Sequence, residues 1–147
     1  MLARALLRVD HGIALAMTTA ESHALPVERS KDGIATLSLT PNPAKPRGGV
    51  VVLDEWLLDA IDEGLDRVEA QGTPSGFVLA STSERVFVAG ADLAEIDGLD
   101  DEDLIRYLEK GARVYQRIAS LECPSVATVN GACLGGGLEI AMHCDVL

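Results

Sequence analysis

Two glycine-rich stretches carry the residues whose types and spacing could do chemistry. In the second stretch, a β-branched run over 126–129 leads into Gly131 and then into Gly135-Gly136-Gly137, and Glu139 follows at once. Glycine permits tight turns and a close approach of backbone to ligand, and the first N–H groups of a helix lack intrahelical acceptors. The pattern predicts a strand, a turn and a helix start that offer amide donors to an anion or a polarised carbonyl. The Glu139 carboxylate is then close enough for proton transfer.

The order of the residues excludes two nucleotide-binding motifs. A P-loop requires a lysine and a hydroxyl residue directly after the glycines, where Leu138 and Glu139 stand here. A dinucleotide fingerprint requires G-x-G-x-x-G, which the spacing of Gly131 and Gly135 does not provide. A purely structural role stays open, because close packing of a helix on a strand also requires small residues.

The first stretch is Phe87-Val88-Ala89-Gly90-Ala91-Asp92-Leu93, in which small residues follow a short apolar run. A glycine just after a strand again favours a close approach of backbone to ligand. Asp92 is placed to accept hydrogen bonds from the first amides of a short helix that extends to Ile96. A loop that ends in a capped helix, without any ligand, explains the same residues and stays an alternative.

The surrounding elements indicate the α/β class, because strands and helices alternate along the chain. Alternation of apolar and polar residues predicts a strand over 33–40, and a short apolar run predicts another over 76–80. Apolar residues at helical spacing predict an amphipathic helix over 52–70. A longer helix is predicted over 100–120, with a buried stripe of Leu104, Ile105, Leu108, Ala112, Tyr115 and Ile118.

Composition limits the classes of function. The 147 residues suffice for one domain, and the net charge of −11 argues against a nucleic-acid partner. No apolar run is long enough to span a membrane. The three cysteines show neither a disulfide framework nor zinc-ligand spacing, which is typical of reduced thiols. Cys133 is a candidate nucleophile, but the sequence shows no nearby partner that would stabilise its thiolate. Glu139 and His143 do not form the H-E-x-x-H motif of a zinc enzyme, so we expect no metal site.

We expect residues 1–26 to form an N-terminal extension that is either disordered or a targeting segment. Arg4 and Arg8 are typical of a transit peptide, whereas Asp10 and Glu21 argue against one. Met17 is an alternative start of translation. We expect a cytoplasmic protein, with the mitochondrial matrix as the alternative.

Together, the two stretches resemble the crotonase, or enoyl-CoA hydratase/isomerase, superfamily, and most of all the hydratase region of multifunctional fatty-acid oxidation α subunits. The resemblance rests on V-A-G-A-D-L over 88–93 and on N-G-A-C-L-G-G-G-L-E-I-A over 130–141, with Cys144-Asp145. It implies a crotonase-like spiral of β-β-α units, of which 27–147 would be the N-terminal part, truncated at its C-terminal side. It also implies a homo-trimer or hexamer, or a partner in a β-oxidation complex.

The resemblance implies a role for individual residues. The N–H groups of Ala91 and Gly136 would form an oxyanion hole around the thioester oxygen of an acyl-CoA substrate, and Glu139 would be one of two catalytic carboxylates. Coenzyme A would enter as the substrate thioester, with no tightly bound cofactor. The residues implied to contact the substrate are Ala89, Gly90, Ala91, Asp92, Leu93, Gly135 and Gly136.

The implied reaction is hydration of a trans-2-enoyl-CoA to the 3-hydroxyacyl-CoA. The family's second hydratase glutamate would lie past Leu147, so we expect these residues to belong to a longer protein and to be inactive alone. An enoyl-CoA isomerase, which needs only one carboxylate, is an alternative. A non-catalytic fragment that binds acyl-CoA is a further alternative.

Overall fold

The computed structural model describes residues 24–45 and 48–147. Most of the extension predicted over 1–26 therefore lies outside the described residues. Leu25, near the end of that segment, is fully buried in the hydrophobic core, and its carbonyl accepts a hydrogen bond from Arg67.

Strands and helices alternate as the sequence pattern predicts. The strands are β1 (Val27–Arg29), β2 (Ile34–Leu39), β3 (Gly76–Ser81), β4 (Val86–Val88), β5 (Ser125–Ala127) and β6 (Ala132–Cys133). The helices are α1 (Glu55–Ala70), α2 (Leu93–Ile96), α3 (Asp101–Ala119) and α4 (Gly136–Met142).

The main sheet has the strand order β1-β2-β3-β5, with β1 antiparallel to β2 and the remaining pairs parallel. Its period-two pattern buries Ala35, Leu37 and Leu39 of β2. A second, two-stranded parallel sheet pairs β4 with β6. Because each glycine-rich stretch continues from one strand of this pair, the small sheet brings the two stretches together.

Helix α3 differs from its predicted stripe. Ile105 and Leu108 are more than half exposed, and Ala112 is exposed as well. The helix instead turns towards α1 a narrow face centred on Gly111, where Leu58 comes within 3.9 Å of the position that a Cβ would occupy. Because Gly111 has no side chain, the two helices can approach closely here, and apolar spacing alone does not predict this contact. The residues of α3 that are buried are Gly111, Val114 and Ile118.

Candidate active site

The first bend, over 89–92, is held in place by the segment that precedes α1. Leu53 donates its N–H to the Gly90 carbonyl at 2.8 Å and accepts the Asp92 N–H at 2.9 Å. These two bonds pair Leu53 with Ala91, and Gly90 makes the turn with φ of 95°. The Ala91 N–H donates to no other described residue. It is therefore available to a ligand oxygen.

The second bend joins β6 to α4. The Leu134 N–H donates to the Val88 carbonyl at 3.0 Å, and Gly135 turns the chain with φ of 48°. Helix α4 then begins at Gly136, whose N–H also donates to no other described residue. Unpaired N–H groups in the first turn are the normal property of a helix start, and they favour a partly negative oxygen.

The two bends are in contact. An ideal Cβ on Gly90 would lie 3.3 Å from the Leu134 carbonyl oxygen, and one on Gly135 would lie 3.9 Å from the Gly90 Cα. One on Gly136 would lie 2.9 Å from Leu53 Cδ1. Leu53 therefore touches both bends, through its backbone at the first and through its side chain at the second.

Glu139 is exposed, in the first turn of α4. It lines a cavity of about 180 Å³ between α1, α3 and α4, and the other residues of the wall are Leu58, Tyr107, Leu108, Gly111, Ala112 and Tyr115. Tyr115 Oη lies 3.5 Å from the Gly136 carbonyl oxygen. Burial, with further contributions from Tyr107 and Glu139, raises the pKa of Tyr115, so this hydroxyl stays protonated. Tyr115 thus connects the second bend to a partly apolar cavity that has one carboxylate, Glu139, in its wall.

A family model described as enoyl-CoA hydratase/isomerase matches residues 50–147, which include both bends and Glu139. The chain belongs to this family. It is 35% identical over 130 residues to a fatty acid oxidation complex subunit alpha of Idiomarina loihiensis, a match that covers 86% of this chain and 17% of that relative. It is 36% identical to a short-chain-enoyl-CoA hydratase of Clostridium acetobutylicum over 64% of this chain and 36% of that relative.

Solved structures confirm the fold predicted for this member of the enoyl-CoA hydratase/isomerase family. An enoyl-CoA hydratase from Bacillus anthracis superposes with a TM-score of 0.70 at 26% identity, over 82% of this chain and 45% of that one. A protein from Geobacillus kaustophilus gives a TM-score of 0.72 at 24% identity, over 82% and 43% of the two chains. The chain thus spans less than half of these structures and about one sixth of the Idiomarina relative. The α/β, crotonase-like fold is confirmed for the part described.

A cluster of three carboxylates lies beside the first bend; the sequence singles out Asp92 as a helix cap and substrate contact but does not predict the cluster. Oxygen atoms of Asp54, Asp92 and Glu95 lie within 4.8 Å of one another, a donor set of the type that divalent cations prefer. The Lys45 ammonium contacts all three, so a protein cation already lies among them. The sequence does indicate a role for Asp54, because an aspartate directly before an amphipathic helix is a typical N-cap. Nothing in the sequence indicates a role for Lys45, which lies in a loop rich in proline and glycine.

Two other candidates from the sequence have local structural roles in this family member. Cys133 donates to the Gly137 carbonyl at 3.3 Å, and burial raises the pKa of its thiol, which opposes a nucleophilic thiolate. His143 Nδ1 lies 2.8 Å from the Glu139 backbone carbonyl, and its ring packs against Tyr115 with centroids 5.4 Å apart. Among the described residues, no helix has the length and apolar character of a membrane span.

Proposed function

We propose that this chain supplies the oxyanion donors and one catalytic carboxylate of an enoyl-CoA hydratase of fatty-acid oxidation. The observation that carries the proposal is the contact between the two bends, each with an open N–H, beside the first turn of the helix that holds Glu139. The named relatives, a fatty acid oxidation complex subunit and a short-chain-enoyl-CoA hydratase, support the same reaction.

The two amides would act on the thioester carbonyl. Addition of water at C3 of a trans-2-enoyl-CoA moves negative charge onto the thioester oxygen, where Ala91 and Gly136 would donate hydrogen bonds. Fixed donors aimed at developing charge are worth about 3–4 kcal/mol each in acyl-transfer enzymes. Ala89, Gly90, Leu93 and Gly135 would line the path of the coenzyme A thioester around these donors. The side chain of Asp92 is buried behind the bend, so this residue would contribute its backbone only.

Glu139 would act as a general acid–base catalyst on the same substrate. The water oxygen bonds to C3 while Glu139 takes a proton from the water. Protonated Glu139 or the second carboxyl group then delivers a proton to C2 as the enolate collapses, giving the 3-hydroxyacyl-CoA. As the resemblance implies, a second carboxylate would share this work in the whole protein. Leu58, Leu108 and Ala112 give the cavity an apolar wall that suits an acyl chain.

The same proposal extends to the assembly and the compartment. We propose a cytoplasmic protein that uses coenzyme A only as part of its substrate, without a tightly bound cofactor. Its three cysteines are all free, which suits a reducing compartment. The protein would act as a homo-trimer or hexamer, or within a β-oxidation complex, and sedimentation of the complete gene product measures which assembly forms.

Hydration of crotonyl-CoA by the complete gene product tests the proposal. Glu139→Gln keeps the size of the side chain but removes the base, and we expect kcat to fall by about 100-fold or more because general-base catalysis contributes on that order. Glu109→Gln, at an exposed position of α3, is the matched control and should keep wild-type kcat. Undiminished activity in Glu139→Gln removes this residue from the mechanism.

An enoyl-CoA isomerase is the second candidate. Among the described residues, Glu139 is the single carboxylate in the cavity wall, and moving one proton between two carbons of the same substrate needs only one carboxylate. Product analysis with a 3-enoyl-CoA separates the two reactions, since an isomerase yields the 2-enoyl-CoA without adding water. Binding of acyl-CoA by calorimetry, without turnover of either substrate, would instead indicate a non-catalytic acyl-CoA-binding chain.

A further inference from the structure

A charged cluster lies directly behind the first bend. The Lys45 Nζ is 3.5 Å from an Asp54 carboxylate oxygen and 3.3 Å from one of Asp92, and it also donates to Glu95. The side chains of Asp54 and Asp92 are 0% and 1% exposed, whereas that of Lys45 is 37% exposed. The lysine thus reaches from the surface into a buried pair of carboxylates.

Each aspartate of the cluster begins a helix. Asp54 accepts the Leu57 N–H at 2.8 Å and caps α1, and Asp92 accepts the amides of Ala94 and Glu95 and caps α2. Asp54 also accepts from the Asn42 amide at 2.6 Å. Each carboxylate is therefore fixed to its own helix, and Lys45 contacts both.

The same aspartates adjoin the two residues that pair across the bend. Asp54 follows Leu53 and Asp92 follows Ala91, and in the parallel Leu53–Ala91 pairing the Ala91 N–H points away from Leu53. Glu95 adds a third connection, because its carboxylate accepts the Glu55 N–H at 2.9 Å. The cluster therefore joins the starts of α1 and α2 on either side of the pairing.

We propose that Lys45 is a positioning residue for the oxyanion hole, because its ammonium holds the N-caps of α1 and α2 together and so fixes the direction of the Ala91 N–H. This inference rests on the proposed function. Removing the cation that two buried carboxylates share is costly, so loss of the ammonium weakens the connection between Asp54 and Asp92. The hydrogen bond to Glu95 raises the pKa of Lys45, which keeps the side chain charged at neutral pH.

Lysine substitutions in the complete gene product test the inference by steady-state kinetics with crotonyl-CoA. Lys45→Met keeps most of the length of the side chain without the charge. We expect kcat to fall roughly 10- to 100-fold, with KM within about threefold, because a displaced donor loses mainly transition-state stabilisation. Lys45→Arg restores the cation and should recover most of kcat.

Lys110 offers a matched control. Within the part of the chain that the structure describes, its ion pairs are with Glu55 and Asp59, neither of which Lys45 contacts, and its side chain is 21% exposed. Lys110→Met therefore removes a comparable ion pair from the surface of α1 and should leave kcat unchanged. Equal losses of kcat in Lys45→Met and Lys110→Met, or no loss in Lys45→Met, would overturn the inference.

Amide hydrogen exchange separates this inference from the proposed function. The Leu53 and Asp92 N–H groups report the pairing directly, and we expect their exchange to be about tenfold faster in Lys45→Met and unchanged in Lys110→Met. Faster exchange in a protein without hydratase activity would uphold the positioning role and reject the hydratase. Unchanged exchange would reject the positioning role whatever the activity. If Lys45→Met does not fold, the double variant Lys45→Met with Glu95→Gln, which also removes one negative charge, is used instead. Both the kinetics and the amide exchange are then measured on this variant.

Discussion

Leu53 is paired through its backbone with Ala91, while its side chain fills the space beside Gly136. It is 1% exposed, and its carbonyl also accepts a hydrogen bond from Tyr107 at 2.9 Å. One apolar residue thus contacts both of the bends that carry the proposed oxyanion donors. The distance between those donors therefore depends on how this side chain packs.

Leu53→Ala should cost both stability and activity. Truncation of a buried leucine destabilises by about 2–5 kcal/mol, and here the space left beside Gly136 also allows the second bend to shift. Urea unfolding measures the first effect and kcat for crotonyl-CoA measures the second. Leu65→Ala, at a fully buried position of α1 away from the bends, should cost similar stability but leave kcat near the wild-type value. Equal kcat in the two variants would show that Leu53 acts on stability alone.

Much of the fold follows from local sequence pattern. The strand predicted over 33–40 is Ile34–Leu39, and the helix predicted over 100–120 is Asp101–Ala119. The short helix that Asp92 was predicted to cap is Leu93–Ile96. These elements depend on periodicity and on hydrogen bonds between near neighbours, which the sequence displays directly.

The parts that sequence reasoning missed depend on contacts between distant residues. Leu53 has helical spacing with the residues that follow, so the sequence predicts it within the helix over 52–70, yet it lies before α1 and pairs with Ala91. The ion pairs of Lys45 with Asp54 and Asp92 likewise join separate segments. Its apolar character predicts Ile105 in a buried stripe, although more than half of it is exposed. Periodicity shows which residues share a face, but it does not show what packs against that face.

Gly137→Ala should destabilise the protein strongly. A Cβ at this position would lie 2.4 Å from the Val88 carbonyl oxygen, which is backbone and cannot rotate away. Overpacking of this kind costs about 3 kcal/mol, measured as the free energy of unfolding in urea. Gly98→Ala is the control, because its nearest neighbour would be the Glu95 carbonyl oxygen at 3.5 Å, an ordinary contact. A loss of similar size in both variants would argue against tight packing of α4 on β4.

Asp54→Ala should cost more than removal of an exposed helix cap. Asp54 and Asp100 each accept an N–H of their own helix at 2.8 Å, but Asp54 is fully buried and also binds the Asn42 amide and Lys45. Loss of an N-cap alone costs about 1 kcal/mol, which is the value expected for Asp100→Ala. Leaving the Asn42 donor without its acceptor adds about 1–3 kcal/mol in Asp54→Ala. Equal unfolding free energies for the two variants would contradict a structural role of the buried cluster.

Alkaline pH should destabilise the protein through Cys144 and Tyr107. Burial is the main cause that raises the pKa of Cys144 from 9.0 to about 11 and that of Tyr107 from 10.0 to about 12. Because the unfolded chain loses these protons first, their contribution to stability is complete below pH 9 and falls as pH rises towards 11 and 12. For Cys144 the loss is about 2–3 kcal/mol at most. Between pH 8 and 11, the free energy of unfolding in urea should decline less in Cys144→Ala than in wild type. If the two proteins lose the same free energy over this range, the thiol has the same pKa in the folded and unfolded states.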